Sequence, residues 1–95
     1  MSEVEATTRC LAARVAAWFE HEGLETVPDR AYLRQMNMAI ALVASRWNEF
    51  AAEDNAVDRM RAWLDEVRRR AVVRDARARV DAIDRARAWF DACAP

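Results

Sequence analysis

The sequence predicts an all-α fold, and three observations carry that prediction. One Gly and two Pro among 95 residues leave almost no punctuation, whereas an all-β chain needs a turn about every 8 to 12 residues. Twenty-one Ala and fifteen Arg are the side chains that lose least on entering a helix. Apolar residues also recur at alternating steps of three and four along most of the chain, the period of a buried helix face. At this length the chain forms one domain, residues 1–95, of modest core.

The first helix is expected over about residues 3–22. Val4, Leu11, Val15 and Trp18 make one stripe, Phe19 broadens it, and Gly23 suits the left-handed residue past a helix end. Pro28 opens the second helix, expected over about 28–52, with Thr26 and Asp29 placed as a capping pair. Leu33, Met36, Ile40, Val43, Trp47 and Phe50 give it the most regular stripe in the chain. Met38 and Leu42 fall on its other side, so it is expected to be the most enclosed element, with Asn37 beside the stripe as a polar register mark.

Asn55, with Asp58 three residues on, is expected to cap a third helix whose stripe is Val57, Met60, Leu64, Val67 and Ala71, with Trp63 at its edge. The stripe then jumps. Val73, Ala76, Val80, Ile83 and Phe90 centre roughly 150° further around the helix. Two architectures follow. A continuous helix over about 56–92 would span roughly 55 Å and overhang a three-helix up-down-up core, its rotated stripe covered by a second copy in a homodimer. Alternatively, a bend near residues 70–74 makes a four-helix bundle. Ala71-Val72-Val73 is a poor loop composition, so the continuous helix is the first expectation.

Cys10 and Cys93 are too few for a disulfide framework and lack Cys-x-x-Cys spacing. A continuous third helix would hold them at opposite ends, so free thiols and no intrachain bond are expected. The first residues carry acids rather than the positive charge of a signal peptide, and the longest uncharged run, residues 35–45, falls short of the ~20 needed to span a bilayer. The expected location is cytoplasmic, with no membrane association.

All fifteen basic residues are Arg, which reads as codon bias of a GC-rich bacterial or phage genome. Residues 1–55 hold five Arg and nine acids, net −4, and residues 56–95 hold ten Arg and seven acids, net +3. Within residues 68–79 there are six Arg and one Asp, and on a continuous helix Arg70, Arg74 and Arg77 share a face that suits an acidic partner or a phosphate backbone. Asp65–Arg69, Glu66–Arg70, Asp75–Arg79 and Asp81–Arg85 have the spacing of local ion pairs that would quieten the same face. The overall charge of −1 weighs against a dedicated nucleic-acid binder.

Catalytic groups are sparse. His21 is the only histidine, and Glu20 and Glu22 point about 100° to either side of it on a helix, so the three cannot meet at a metal. Ser2 and Ser45 stand in no nucleophile motif, and there is no glycine-rich phosphate loop. No enzymatic activity, cofactor or metal is expected.

The run Arg77-Ala78-Arg79-Val80-Asp81-Ala82-Ile83-Asp84 is similar to the opening of the first helix of the all-helical chorismate mutases, an Arg followed by two apolar-acid pairs. The resemblance covers eight residues. Arg87 stands where that family's helix stays apolar, and the further helices with Lys, Glu and Gln site residues have no counterpart here.

By elimination, the expected role is a small helical protein–protein interaction module: a regulatory adaptor, an immunity or antitoxin-like factor, or a phage-encoded inhibitor acting as a homodimer. The alternative is a nucleic-acid-binding regulator using residues 68–79. Trp18 and Trp47 are expected in the core. The partner-binding candidates are Arg70, Arg74, Arg77, Trp63, Trp89, Val73, Val80, Ile83 and Phe90.

Overall fold

Helix α1 spans Glu3–Ala17 and passes into a π-helical turn over Trp18–Glu22; α2 spans Arg30–Phe50, α3 Ala56–Val73 and α4 Arg77–Asp91. This computed structural model describes residues 2–22 and 30–95, with side chains for all of these except 21 and 22. Gly23, the Thr26–Asp29 pair and the His21 ring therefore lie outside the described residues. The all-α class holds, with no strand among the described residues.

At the start of α1 the Ser2 hydroxyl accepts the Glu5 backbone N–H at 3.1 Å, and Glu3 and Glu5 sit at the positive end of the helix dipole. Between α2 and α3 the chain turns through residues 51–55, and Asn55 adopts a left-handed conformation, φ 59°. Its side chain makes no capping bond, so the expected cap is corrected: Asn55 serves the turn through its tolerance of positive φ.

The continuous third helix is also corrected. α3 stops at Val73, and the chain reverses through Arg74, Asp75 and Ala76 before α4 begins. Asp75 has φ 53°, its N–H donates to the Val72 carbonyl at 3.0 Å, and the Ala76 N–H donates to the Ala71 carbonyl at 2.9 Å. These two bonds close the end of α3 as a Schellman motif, with Asp in the position Gly usually occupies. Three cross-helix pairs then fix the direction of α4: Arg61 with Asp91, Asp65 with Arg87, and Arg68 with Asp84. Numbers rise along α3 as they fall along α4, so the two helices are antiparallel.

That reversal explains the rotated stripe. In a straight helix the 57–71 and 73–90 faces would need partners on different sides, whereas in the hairpin 57–71 and 76–90 turn to one core and Val73 alone of the second stripe stays outside. Met60 and Leu64 of α3, Ile83 and Phe90 of α4, and Val43 and Trp47 of α2 are all buried there. Trp47 meets Phe90 at 5.3 Å between ring centroids. Each such side chain contributes about 1.5 to 3 kcal/mol on leaving water. Within α2, Met36, Ala39, Ile40, Val43 and Trp47 are buried, but Met38 on the far side is 44% exposed, so the helix is not enclosed all round.

Helix α1 lies antiparallel to α2. The Trp47 indole N–H donates to the Thr8 hydroxyl at 2.9 Å, and the Trp18 indole N–H donates to Asn37 Oδ1 at 3.3 Å. Trp18 is buried as expected, among Met36, Ile40 and Trp89. The expectation of free thiols fails: Cys10 of α1 and Cys93, just past α4, form a disulfide with Cα atoms 5.4 Å apart. Neither the small number of cysteines nor their spacing bears on this pairing; a straight third helix would carry Cys93 away, and the reversal at Asp75 brings it back. The bridged residues are 83 positions apart, a closure worth about 4 to 5 kcal/mol in the chain-entropy account.

Candidate interaction site at the α3–α4 turn

The reversal that closes the core leaves an apolar tip. Val72 and Val73 are 52% and 76% exposed, next to each other at the end of α3. They lie off the buried stripe, which ends at Ala71, and the Schellman turn prevents the helix from carrying them further. Two shallow concavities flank them. One, of about 410 Å³, is lined by Val72, Asp75, Ala76, Arg77, Val80 and Asp81. The other, of about 280 Å³, is lined by Arg69, Arg70, Val73 and Arg74.

Around the pair, residues 66–81 hold six Arg against Glu66, Asp75 and Asp81. Glu66 accepts from Arg69 at 2.7 Å and from Arg70 at 3.1 Å. The hydrogen bond from Arg69 is the main cause holding the Glu66 carboxyl below its usual range, and Arg70 adds to it. Arg68 pairs with Asp84 at 2.7 Å, which raises its pKa as Glu66 raises that of Arg69. Arg77 and Asp75 are 3.9 Å apart and almost fully exposed, a pair worth little in water. Arg74 and Arg79 have no ion-pair partner among the described residues. The tip therefore presents two valines inside a collar of net positive charge.

Of the expected local pairs, Glu66–Arg70 forms as spaced, whereas Asp65 turns to Arg87 and Arg85 reaches Gln35 at 3.1 Å and the face of Tyr32 at 4.9 Å. Burial disfavours the Arg87 charge, yet its bonds to Asp65 and Asp91 leave its pKa raised.

The structure gathers four of the expected binding residues, Arg70, Arg74, Arg77 and Val73, at this tip. They do so across a turn, not along one helix face, because α3 ends between them. Val80 lines the lip of the larger concavity and is half-buried. Ile83 and Phe90 are core residues, at 2% and 0% exposure, and leave the candidate surface. Trp89 leaves it too: α1 covers it, with the Arg14 guanidinium 4.8 Å above its ring. Trp63 is half-buried under Arg46, 4.9 Å from the ring centroid, and lies nine residues before Val72 on α3. Sequence reasoning missed Val72, whose signal was an apolar, β-branched pair off the stripe inside an Arg-rich run.

Among the described residues, no helix is long and apolar enough to cross a membrane, and no group of His, Cys, Asp and Glu is placed to hold a metal ion. No family model matches the chain, no curated protein matches its sequence, and no solved structure matches it.

Proposed function

We propose that the protein is a small interaction module, a cytoplasmic adaptor or inhibitor of bacterial or phage origin, that engages an acidic partner protein through the α3–α4 tip. The observation that carries this reading is the exposed Val72–Val73 pair inside its arginine collar. An apolar side chain of the partner would cover the valines while its carboxylates meet Arg69, Arg70, Arg74 and Arg77 in planar, two-pronged contacts. Such a site has an apolar centre and a polar rim, the anatomy of a protein interface.

A nucleic-acid reading fits less well, since a phosphate backbone gains nothing from two valines at the centre of the contact. The homodimer expected from the sequence rested on an unpaired stripe. Val80, Ile83 and Phe90 instead pack against the chain's own core, and two positively charged tips would repel one another. The partner proposed is therefore a different protein.

The test is a panel of acidic peptides, with and without apolar residues among the carboxylates, set beside duplex DNA and heparin. Acidic peptides carrying an apolar residue should bind in a salt-sensitive manner and be lost on Val73→Asp. Equal DNA binding by the parent and Val73→Asp, with no peptide bound, would overturn the protein-partner reading.

A further inference from the structure

The Cys10–Cys93 bond ties down a helix that the rest of the protein holds weakly. Of the fifteen residues of α1, only Thr7 and Leu11 are buried, while α2, α3 and α4 each bury five. One of those two is a liability. Thr7 is fully enclosed, yet its hydroxyl oxygen has no hydrogen-bond partner among the described residues, and an enclosed unpaired hydroxyl penalises the docked state. The seam beside it is also incompletely filled: an apolar groove of about 370 Å³ runs between α1 and α2, bordered by Leu11, Val15, Val43 and Trp47. Besides the disulfide, α1 is seated by Leu11, by half-buried Val4 and Val15, by the buried Trp18 ring just past its end, by the indole hydrogen bonds to Thr8 and Asn37, and by the Arg14–Trp89 stack.

The other three helices do not need the bond in the same way. Their shared core of Val43, Trp47, Met60, Leu64, Ile83 and Phe90 takes only Leu11 from α1 as a buried member, with Val4 at its edge, and the α3–α4 arginine–aspartate ladder takes nothing from α1. Cys93 sits just beyond α4, and both cysteines are half-buried rather than sealed inside, so a small or protein dithiol can approach the sulfurs.

We infer that Cys10–Cys93 is a site of thiol–disulfide exchange with dithiol reductants, and that its reduction undocks α1 while α2, α3 and α4 stay folded. The reductant's thiolate attacks one sulfur of the bridge and forms a mixed disulfide. The other cysteine leaves as a thiolate and takes up a proton. The reductant's second thiol then displaces the bound cysteine, so the reductant loses two electrons and becomes a disulfide, and the chain's S–S bond becomes two thiols. Undocking uncovers Trp47 and Trp89, which α1 now covers through Thr8 and Arg14. This inference concerns the end of the molecule where α1 meets α4, and stands whether or not the valine tip binds an acidic partner.

Hydrogen exchange read by mass spectrometry on the full chain tests it in three states: oxidised, reduced with dithiothreitol, and the Cys10→Ser/Cys93→Ser double variant, with thiols counted by alkylation. In both bridge-free states the amides of α1 should lose nearly all their protection, while those of α2, α3 and α4 stay at least about tenfold better protected than α1 even though opening the 83-residue loop lowers the stability of the whole chain. Reoxidation should restore the α1 amides. Unchanged protection of α1 after two thiols are released would overturn the proposal, as would loss of protection in all four helices together, because the bond would then be a global staple.

Discussion

Helix α1 buries two side chains among its fifteen residues, whereas α4, of the same length, buries Ala82, Ile83, Ala86, Trp89 and Phe90. A covalent bond runs from the middle of α1 to the residues just past α4, yet α4 is seated by apolar burial and α1 leans on that disulfide, two indole hydrogen bonds and a stacked arginine. The difference shows how a chain this short divides its stabilisation. Three helices with strong stripes make a core. A fourth, rich in Ala12, Ala13, Ala16 and Ala17 on its exposed side, has little to bury and is held by closing a long loop, which acts mainly on the unfolded chain.

The largest expected effect comes from making the same substitution in both regions. Leu64 is 1% exposed at the centre of the three-helix core, and Leu11 is 5% exposed at the α1 seam beside an open groove. Leu64→Ala should destabilise the oxidised protein by about 4 kcal/mol, near the upper part of the range for buried leucines, and Leu11→Ala by about 2, because its surroundings are already loosely filled. Urea midpoints measured without reductant decide the matter. Equal losses would mean that α1 belongs to the core as fully as α3 does.

Thr7 gives a smaller effect of opposite sign. Thr7→Val keeps the shape of the side chain and replaces an enclosed, unpaired hydroxyl by a methyl. The variant should gain about 1 kcal/mol in a denaturant titration, and the gain should fall on α1, visible as slower exchange of its amides in the reduced protein. A loss of stability would show that the hydroxyl has a partner after all and that the seam is better satisfied than its geometry indicates.

The two regions also differ in how legible they were in the sequence. Helices α2 and α3 could be read because Met36, Ile40, Val43 and Trp47, or Met60 and Leu64, recur at the period that burial imposes. Trp47 and Trp18 were placed in the core for the same reason. The fate of Trp89 was hidden, since it depends on α1 lying over it, and no spacing within one helix reports on a neighbour. The disulfide was hidden in the same way, because Cys10 and Cys93 meet only once the chain has reversed at Asp75. The tip was half legible: its arginines stood out, but their arrangement around Val72 and Val73 follows from the turn. The jump of the stripe after Ala71 was the available signal for that turn. A face that rotates by roughly 150° within one helical run marks either two partners or a break, and the lack of Gly or Pro favoured the wrong choice.

The last and smallest effect tests how the break is made. Asp75 takes φ 53° to close the end of α3, a conformation in which a side chain with a Cβ is strained and Gly is not. Asp is among the residues that tolerate it best, which limits the strain, and Gly adds freedom to the unfolded chain, which offsets part of the relief. Asp75→Gly should therefore raise stability by no more than about 1 kcal/mol. It should leave the α3–α4 ladder intact, because the bonds from the Asp75 and Ala76 N–H groups to Val72 and Ala71 involve only the backbone. Asp75→Val should have the opposite effect, since a β-branched residue is poorly accommodated at positive φ, and thermal melts of the two variants bracket the parent if the turn is built as described. If Asp75→Val instead melted above the parent, the reversal would not depend on the left-handed residue, and the ladder of Arg61, Asp65 and Arg68 with Asp91, Arg87 and Asp84 would have to be folding α4 back on its own.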